Sequence, residues 1–415
     1  MIIKEIDEIT FDKFASNHIL KNPYQTKEYG SLMKNSEFNV IYIGAYTNDT
    51  LVSASLILYK TIGMNMKYGY APRGFLIDYF DKELLTTFTK KIKEFFIKKG
   101  FAFIKINPEV NYSIIDYNER SKSINQKSKN LITTLKELGY DKLKDNLYFE
   151  SMLPKYTPVI YLKDYDITKI SSYNEIQKQE LVGFNIISGN EEDISTLYPL
   201  IKDNDSKTET YYKQLYKKYK ETDRIDLLFI ELDYNTYVKY LQKEYNYEQE
   251  KNEKINKEFH QNPNSIDLYN KKSKSDAALA KITSNIASCN NKMDSNKKTE
   301  ILGGALVLKH QGRITILNYG INETFQGLDT QTYLFYKILE EYKKAGYLYA
   351  DLNGITADFS ETTPYKELNK FKLKFNPVVF EYIGEFDLII NKPFHQLLWS
   401  TNQIQKEFYK NPKKK

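Results

Sequence analysis

The chain has a single cysteine, Cys289, and four histidines in 415 residues. One thiol excludes a disulfide scaffold and a Cys-ligated zinc site, and it suits a reducing compartment. The scattered histidines argue against a His-rich metal centre, so neither a metal nor another cofactor is expected. Arginine is scarce too: the 60 basic residues include only Arg73, Arg120, Arg224 and Arg313. Anionic ligands should therefore meet mostly lysine point charges rather than bidentate forks. With 54 acidic residues the net charge is +6, too mild by itself to indicate nucleic acid. No stretch of about 18 apolar residues reads as a bilayer span. The opening MIIKEIDEIT carries Lys4, Glu5, Asp7 and Glu8 and lacks the apolar core of a secretory signal. The expected location is the cytoplasm, with contact at the inner face of the membrane compatible with it. Walker, GxGxxG, HExxH and GxSxG signatures are also missing.

What is present is ordinary for a globular chain, 41% hydrophobic and 27% charged. One core rarely grows past about 250–300 residues, so at least two domains are expected. The pattern repeats once along the chain. Apolar alternation at 39–46 and 51–60, joined at Asn48-Asp49, predicts a hairpin; 82–99 predicts a helix with Leu84, Leu85, Phe88, Ile92, Phe95 and Phe96 on one face; 101–107 predicts a strand. The same order recurs as a hairpin at 301–308 and 313–319 through Gln311-Gly312, a helix near 328–345 and a strand at 347–353. Even the joints match, KKGFAFIKINP against KAGYLYADLNG. This implies two α/β units of one type, expected at 1–155 (with a C-terminal return segment from about 385 to 415) and at 156–384.

Between the two hairpin–helix–strand stretches, 235–298 is rich in Lys, Glu and Asn. Val238, Leu241, Tyr245, Ile255 and Phe259, then Leu268, Leu279, Ile282, Ile286, Cys289 and Met293, follow three-four spacing, interrupted by Lys272 and Ser275. A break at 260–265 predicts an antiparallel helical hairpin, a coiled-coil arm inserted in the second unit. Twelve lysines against eight acidic residues allow a polyanion-facing arm or a solvated spacer.

Tandem hairpin–helix–strand units suggest the acetyltransferase-like (GNAT) fold, but Gln326-Gly327-Leu328 is not the turn that holds acyl-CoA pyrophosphate. Several stretches instead resemble the Fem-type (FemABX) aminoacyltransferases of peptidoglycan cross-bridge synthesis. They are Asn22-Pro23-Tyr24-Gln25-Thr26-Lys27-Glu28-Tyr29 with Lys34, Tyr70-Ala71-Pro72-Arg73-Gly74 with Asp78-Tyr79, and Lys105-Ile106-Asn107-Pro108. Further on come Asp351-Leu352-Asn353-Gly354-Ile355, Phe371-Lys372-Leu373-Lys374-Phe375 and Glu381-Tyr382-Ile383-Gly384-Glu385-Phe386-Asp387. They run in family order.

The resemblance implies two GNAT-like domains. It implies an enzyme that moves an amino acid from aminoacyl-tRNA to an amine of a lipid-linked or UDP-linked muropeptide precursor. An aminoacyl ester is already activated, so the reaction needs neither ATP nor a metal. It needs alignment, oxyanion stabilisation and a place for the proton of an amine whose ordinary pKa is about 10.4. Lys372 matches the family's functional lysine, and Phe371 beside it would stack on the terminal base of the tRNA. Lys34 matches a lysine at the acceptor pyrophosphate. Tyr211 sits in the family's R-x-x-x-Y-Y pattern, with Lys207 in the arginine's place, which keeps the charge and loses the fork. Tyr319 matches a tyrosine near the acceptor peptide. Arg73 either braces carbonyls between the domains or faces an anionic substrate. Asn107 stands where some members carry aspartate; it could shape a pocket but could not act as a base. Two rival readings remain at this level: an acyl-CoA-dependent N-acyltransferase of the GNAT type, and a non-catalytic adaptor.

Overall fold

The computed structural model describes residues 1–400 apart from 37, 64, 118, 120, 146–152, 204–205, 323–327 and 359. Arg120, Gln326-Gly327 and the return segment beyond 400 lie outside the described residues. In chain order the elements are β1 (Ile2–Glu5), α1 (Glu8–Asn17), α2 (Lys27–Lys34), β2 (Asn39–Thr47), β3 (Thr50–Ile62), β4 (Met66–Ala71), α3 (Lys82–Ile97) and β5 (Phe101–Ile106). Next come β6 (Asn111–Asp116), β7 (Ser121–Ile124), α4 (Gln126–Glu137), β8 (Tyr140–Lys142), β9 (Tyr156–Tyr161), α5 (Tyr173–Gln179), β10 (Phe184–Gly189), α6 (Ile194–Ile201), α7 (Glu209–Lys220) and β11 (Ile225–Asp233). The chain continues with α8 (Tyr234–Gln261), α9 (Ile266–Asp294), β12 (Thr299–His310), β13 (Arg313–Ile321), α10 (Thr330–Lys344), β14 (Tyr349–Asp351), α11 (Lys366–Leu373), β15 (Val378–Tyr382), β16 (Phe386–Ile389) and α12 (Lys392–Ser400). Among the described residues no helix is long and apolar enough to cross a membrane.

Two mixed sheets result, ordered β1-β2-β3-β4-β5-β16-β8 and β10-β11-β12-β13-β14-β9-β15-β6-β7. In the first, the parallel neighbours are β4 and β5, bridged by α3; in the second they are β13 and β14, bridged by α10. Both preceding hairpins turn through two residues of positive φ, Asn48-Asp49 (46°, 62°) and Gln311-Gly312 (47°, 80°), whose twist suits adjacent strands. Both bridging helices start on an aspartate cap: Asp81 accepts from the Leu84 amide and Asp329 from the Thr332 amide. Both stop at a left-handed glycine, Gly100 (φ 78°) and Gly346 (φ 85°). This is the acetyltransferase-like unit, built twice. α3 buries Leu85, Phe88, Ile92 and Phe96 against the first sheet, and α10 buries Leu334, Phe335, Ile338 and Leu339 against the second. Each such side chain contributes about 1.5–3 kcal/mol on burial. The strand expected at 347–353 forms only over Tyr349–Asp351, because the residues after it turn into the site.

The two sheets interleave along the chain. β6 and β7 pair with β15 and so extend the second sheet, while β16 returns to pair with β5 in the first. A core shared between the units joins Leu32 of α2 to Tyr212, Leu215 and Tyr219 of α7 and to Leu227 and Leu306. Tyr219 donates to the Pro23 carbonyl (2.7 Å), and Arg224 reaches Glu28 (2.8 Å) across the same seam.

α8 and α9 pack on each other and connect β11 to β12, which are themselves paired. Leu241 and Cys289 are buried at the base, and burial pushes the Cys289 thiol up to about 11, so it is inert there. The interruption at Ser275 is a polar layer: Ser275 donates to Glu248 (2.6 Å) and Asn252 to Asp276 (2.7 Å). Several of the arm's lysines are already ion-paired, among them Lys251 with Glu248 and Lys271 with Asp267.

Candidate functional site

The expected site residues fall into three groups along the seam. The first contains Arg73, Asn107 and Lys372. After β4 the chain turns at Pro72-Arg73, where Arg73 takes φ 52°. The turn is held by the buried Gln25 amide, which accepts from the Leu56 amide (2.8 Å) and donates to the Leu56 (3.1 Å) and Pro72 (2.8 Å) carbonyls. Gln25→Leu would orphan the buried Leu56 amide and Pro72 carbonyl, each costing about 1–3 kcal/mol, while the Leu56 carbonyl keeps the Ser55 hydroxyl (3.2 Å). A loss of about 2 kcal/mol or more is expected in chemical unfolding. Asn107 closes the turn from β5: its Oδ1 accepts from the Arg73 amide (2.8 Å) and its Nδ2 donates to Tyr70 (3.0 Å). Its side chain is thus a bracket, a role that asparagine fills without a carboxylate. The Arg73 guanidinium donates to the Pro154 carbonyl (2.8 Å), lies 4.8 Å from the Tyr382 ring centre, and places Nε 3.4 Å from Glu109. A small cleft opens here, lined by Arg73, Asn107, Pro154, Lys155, Tyr382 and Glu385 among others.

Glu109 follows β5 of the first sheet and meets Arg313, the first residue of β13, with both oxygens (2.7 and 3.3 Å). Burial works against the Glu109 charge, but Arg313 and then Arg73 outweigh it and hold the carboxyl below its usual range. Arg313 continues to Asp351 at the end of β14, two residues beyond its register partner Tyr349. The other Asp351 oxygen accepts from the Asn353 amide (2.7 Å), and Asn353, at φ 63°, donates to the Leu317 carbonyl (2.8 Å). This turn presents the Gly354 carbonyl to Lys372 Nζ (2.8 Å). Lys372, on α11, is only 4% exposed. Burial drives its amine from the ordinary 10.5 down to about 7, with Asp351 pulling the other way. Tyr24, from the loop before α2, lies in the field of Arg73, Asp351, Arg313 and Glu109, and burial pushes its hydroxyl up to about 12.

The second group is aromatic. Tyr319 stands edge-on to Phe335 (4.8 Å) and 5.9 Å from Phe371, which in turn contacts Phe335 (4.8 Å) and Phe375 (5.6 Å). Phe371, expected as a stacking platform, is packed among these rings and half-buried, with Lys374 Nζ 4.9 Å from its centre. The third group lies at packed helices: exposed Lys34 ends α2, Lys207 precedes α7 and Tyr211 lies in its first turn, with Lys207 Nζ 5.0 Å from the Tyr211 ring centre. It joins the second group through Asn318, beside Tyr319, which donates to Tyr212 (2.6 Å).

Sequence reasoning missed Glu109, Arg313, Asp351 and Tyr24 as site residues. One signal was available. An arginine in a chain that otherwise uses lysine marks a place where a planar fork is needed, as it is between two carboxylates.

Two acetyltransferase-like units thus meet at a seam that carries a charge cluster ending on a buried lysine. A family model described as the FemAB family matches residues 6–402, and the chain belongs to that family. The aminoacyltransferase FemA of Staphylococcus epidermidis is 22% identical over 423 residues, covering 97% of this chain and 98% of that protein. The lipid II:glycine glycyltransferase of Staphylococcus aureus is 21% identical over 373 residues, covering 83% of this chain and 82% of its own. The crystal structure of FemX superposes with a TM-score of 0.73 at 19% identity, covering 96% of this chain and all of that one, so the fold is shared.

Proposed function

We propose that this protein is an aminoacyltransferase of peptidoglycan interpeptide bridge synthesis, moving an amino acid from aminoacyl-tRNA to an amine of a lipid-linked precursor. The observation that carries the reading is Lys372, a buried lysine at the seam, within the chain-long FemAB match. In the reaction the acceptor nitrogen attacks the ester carbonyl carbon, a C–N bond forms and the C–O bond to the ribose breaks. One proton leaves the nitrogen and one arrives on the ribose oxygen. An amine titrating near 7 suits both transfers. Once protonated, Lys372 supplies the cation that the tetrahedral oxyanion requires. Gly354 takes one of its three donor positions and leaves others for substrate.

In this reading Lys34, Lys207 and Tyr211 hold the acceptor's pyrophosphate end, Tyr319 its peptide, and Phe371 the base of the donor's terminal nucleotide. Arg73 and Asn107 shape the cleft. The working halves are 1–155 with the return from about 385, less β6 and β7, and 156–384 with the arm at 235–298. A lipid-linked acceptor would bring the enzyme to the inner face of the membrane.

The test is transfer of a labelled amino acid from charged tRNA to purified lipid II. Labelled lipid II that disappears after RNase digestion of the donor is the expected result. Label that survives the digestion, or that comes from acyl-CoA instead, overturns the reading. No transfer from either donor would leave the adaptor.

A further inference from the structure

Lys372 is held by a chain of contacts that begins on the other unit. Glu109, leaving β5 of the first sheet, grips Arg313 with both oxygens; Arg313 takes one oxygen of Asp351; the other oxygen of Asp351 builds the turn whose Gly354 carbonyl receives Lys372. These residues are largely shielded: the side chains of Arg313, Glu109 and Asp351 are 17%, 10% and 6% exposed. Charges inside such a cluster are weakly screened and divide one another's fields.

We propose that Arg313 is a positioning residue for Lys372, and that by dividing Asp351 with Glu109 across the seam it sets the charge the lysine carries. The inference rests on the transferase reading for its purpose but not for its test. The neighbouring charges fit it. On α11 Lys366 and Lys370 share Glu361 (3.6 Å from Lys370), and Lys374, just after it, faces Asp329 at the start of α10 (3.3 Å), so these lysines have acids other than Asp351. From β14, Asp351 acts on Lys372 directly. From β13, Arg313 acts by neutralising Asp351, and from the segment after β5, Glu109 acts by drawing Arg313 away from it. The first unit therefore reaches the lysine through three side chains.

The signs are opposite for partners of one ion pair. Arg313→Gln frees Asp351 and should strengthen proton binding by Lys372. Asp351→Asn should weaken it, and Glu109→Gln, which releases Arg313 fully to Asp351, should weaken it to a smaller extent. An opposite charge nearby moves such a group by about one pH unit or more.

The measurement is competitive acetylation of the full-length protein with acetic anhydride between about pH 5.5 and 10, reading the Lys372 peptide by mass spectrometry against exposed Lys34. It needs no substrate, so its outcome is separate from that of the transfer assay. The expected result is a Lys372 midpoint displaced alkaline in Arg313→Gln and acid in the other two. Midpoints that all move one way, or none that moves, overturn the proposal; simple loosening of the fold would send all three toward the ordinary lysine value. Should Asp351→Asn fail to fold, Glu109→Gln carries the same sign and decides alone.

Discussion

Lys372→Met should abolish transfer and, near neutral pH, make the protein harder to unfold. Loss of the cation at the developing oxyanion is expected to lower the rate by about 100-fold or more. The stability effect follows from burial. In the unfolded chain the amine binds its proton up to about 10.5, whereas in the fold it does so only up to about 7. Between those values the unfolded state holds more protons, so wild-type stability falls as the pH drops from 10.5 to 7 and stays low beneath that. The full span corresponds to about 5 kcal/mol. Methionine removes that cost but leaves the Gly354 carbonyl unpaired, at about 1–3 kcal/mol. The variant should therefore exceed the wild type by about 2 kcal/mol at pH 6 and fall below it near pH 10.5. Urea unfolding at both pH values measures the crossover. A variant less stable than wild type at pH 6 would show that the lysine is comfortably charged in the fold.

The other large effect is expected at the opposite end of the seam. Glu28 is 3% exposed, and its oxygens are held by Arg224 (2.8 Å) and the Thr222 hydroxyl (2.9 Å), both from the second unit. Asp12 lies 3.6 Å from the same guanidinium. Arg224→Ala strands a buried carboxylate beside a second one, and breaking a buried pair from one side costs about 3–5 kcal/mol. The pair's net worth is smaller, because both ions were desolvated to make it. Arg224→Met combined with Glu28→Leu should accordingly recover most of the loss. Unfolding curves of Arg224→Met, Glu28→Leu and the double variant form a cycle whose coupling term reports the pair. If the double variant is as unstable as Arg224→Ala, the loss does not come from a stranded carboxylate and the bridge itself stabilises the seam.

The repeated units were legible because their signals are local. Cap aspartates, two-residue turns and terminal glycines act within a few residues, and KKGFAFIKINP and KAGYLYADLNG carry the same instructions. What was illegible depends on contacts between distant parts of the chain. Nothing near Asn111–Ile124 says that β6 and β7 will join the second sheet, since that choice is made by β15, more than 250 residues later. The site divides the same way. Lys372 could be singled out by its motif, but its burial comes from a turn set by Asp351, and that turn answers to Glu109 through Arg313. Phe371 was expected to offer a free face, and only packing by Tyr319, Phe335 and Phe375 reveals how much of it is spoken for.

The arm leaves the body at the junction of two strands that pair with each other for nine residue pairs, from Ile225 with Leu308 to Asp233 with Thr299. The ladder closes whether its ends are joined by a tight reversal or by helices of 28 and 29 residues, about 42 Å long. Enlarging such a connection adds only about 0.6 kcal/mol of closure entropy per doubling, and helices that pack on each other repay it themselves. The projection is consequently a place where descendants of this chain can shorten, extend or exchange a segment with little thermodynamic penalty, leaving Lys372 and its contacts undisturbed.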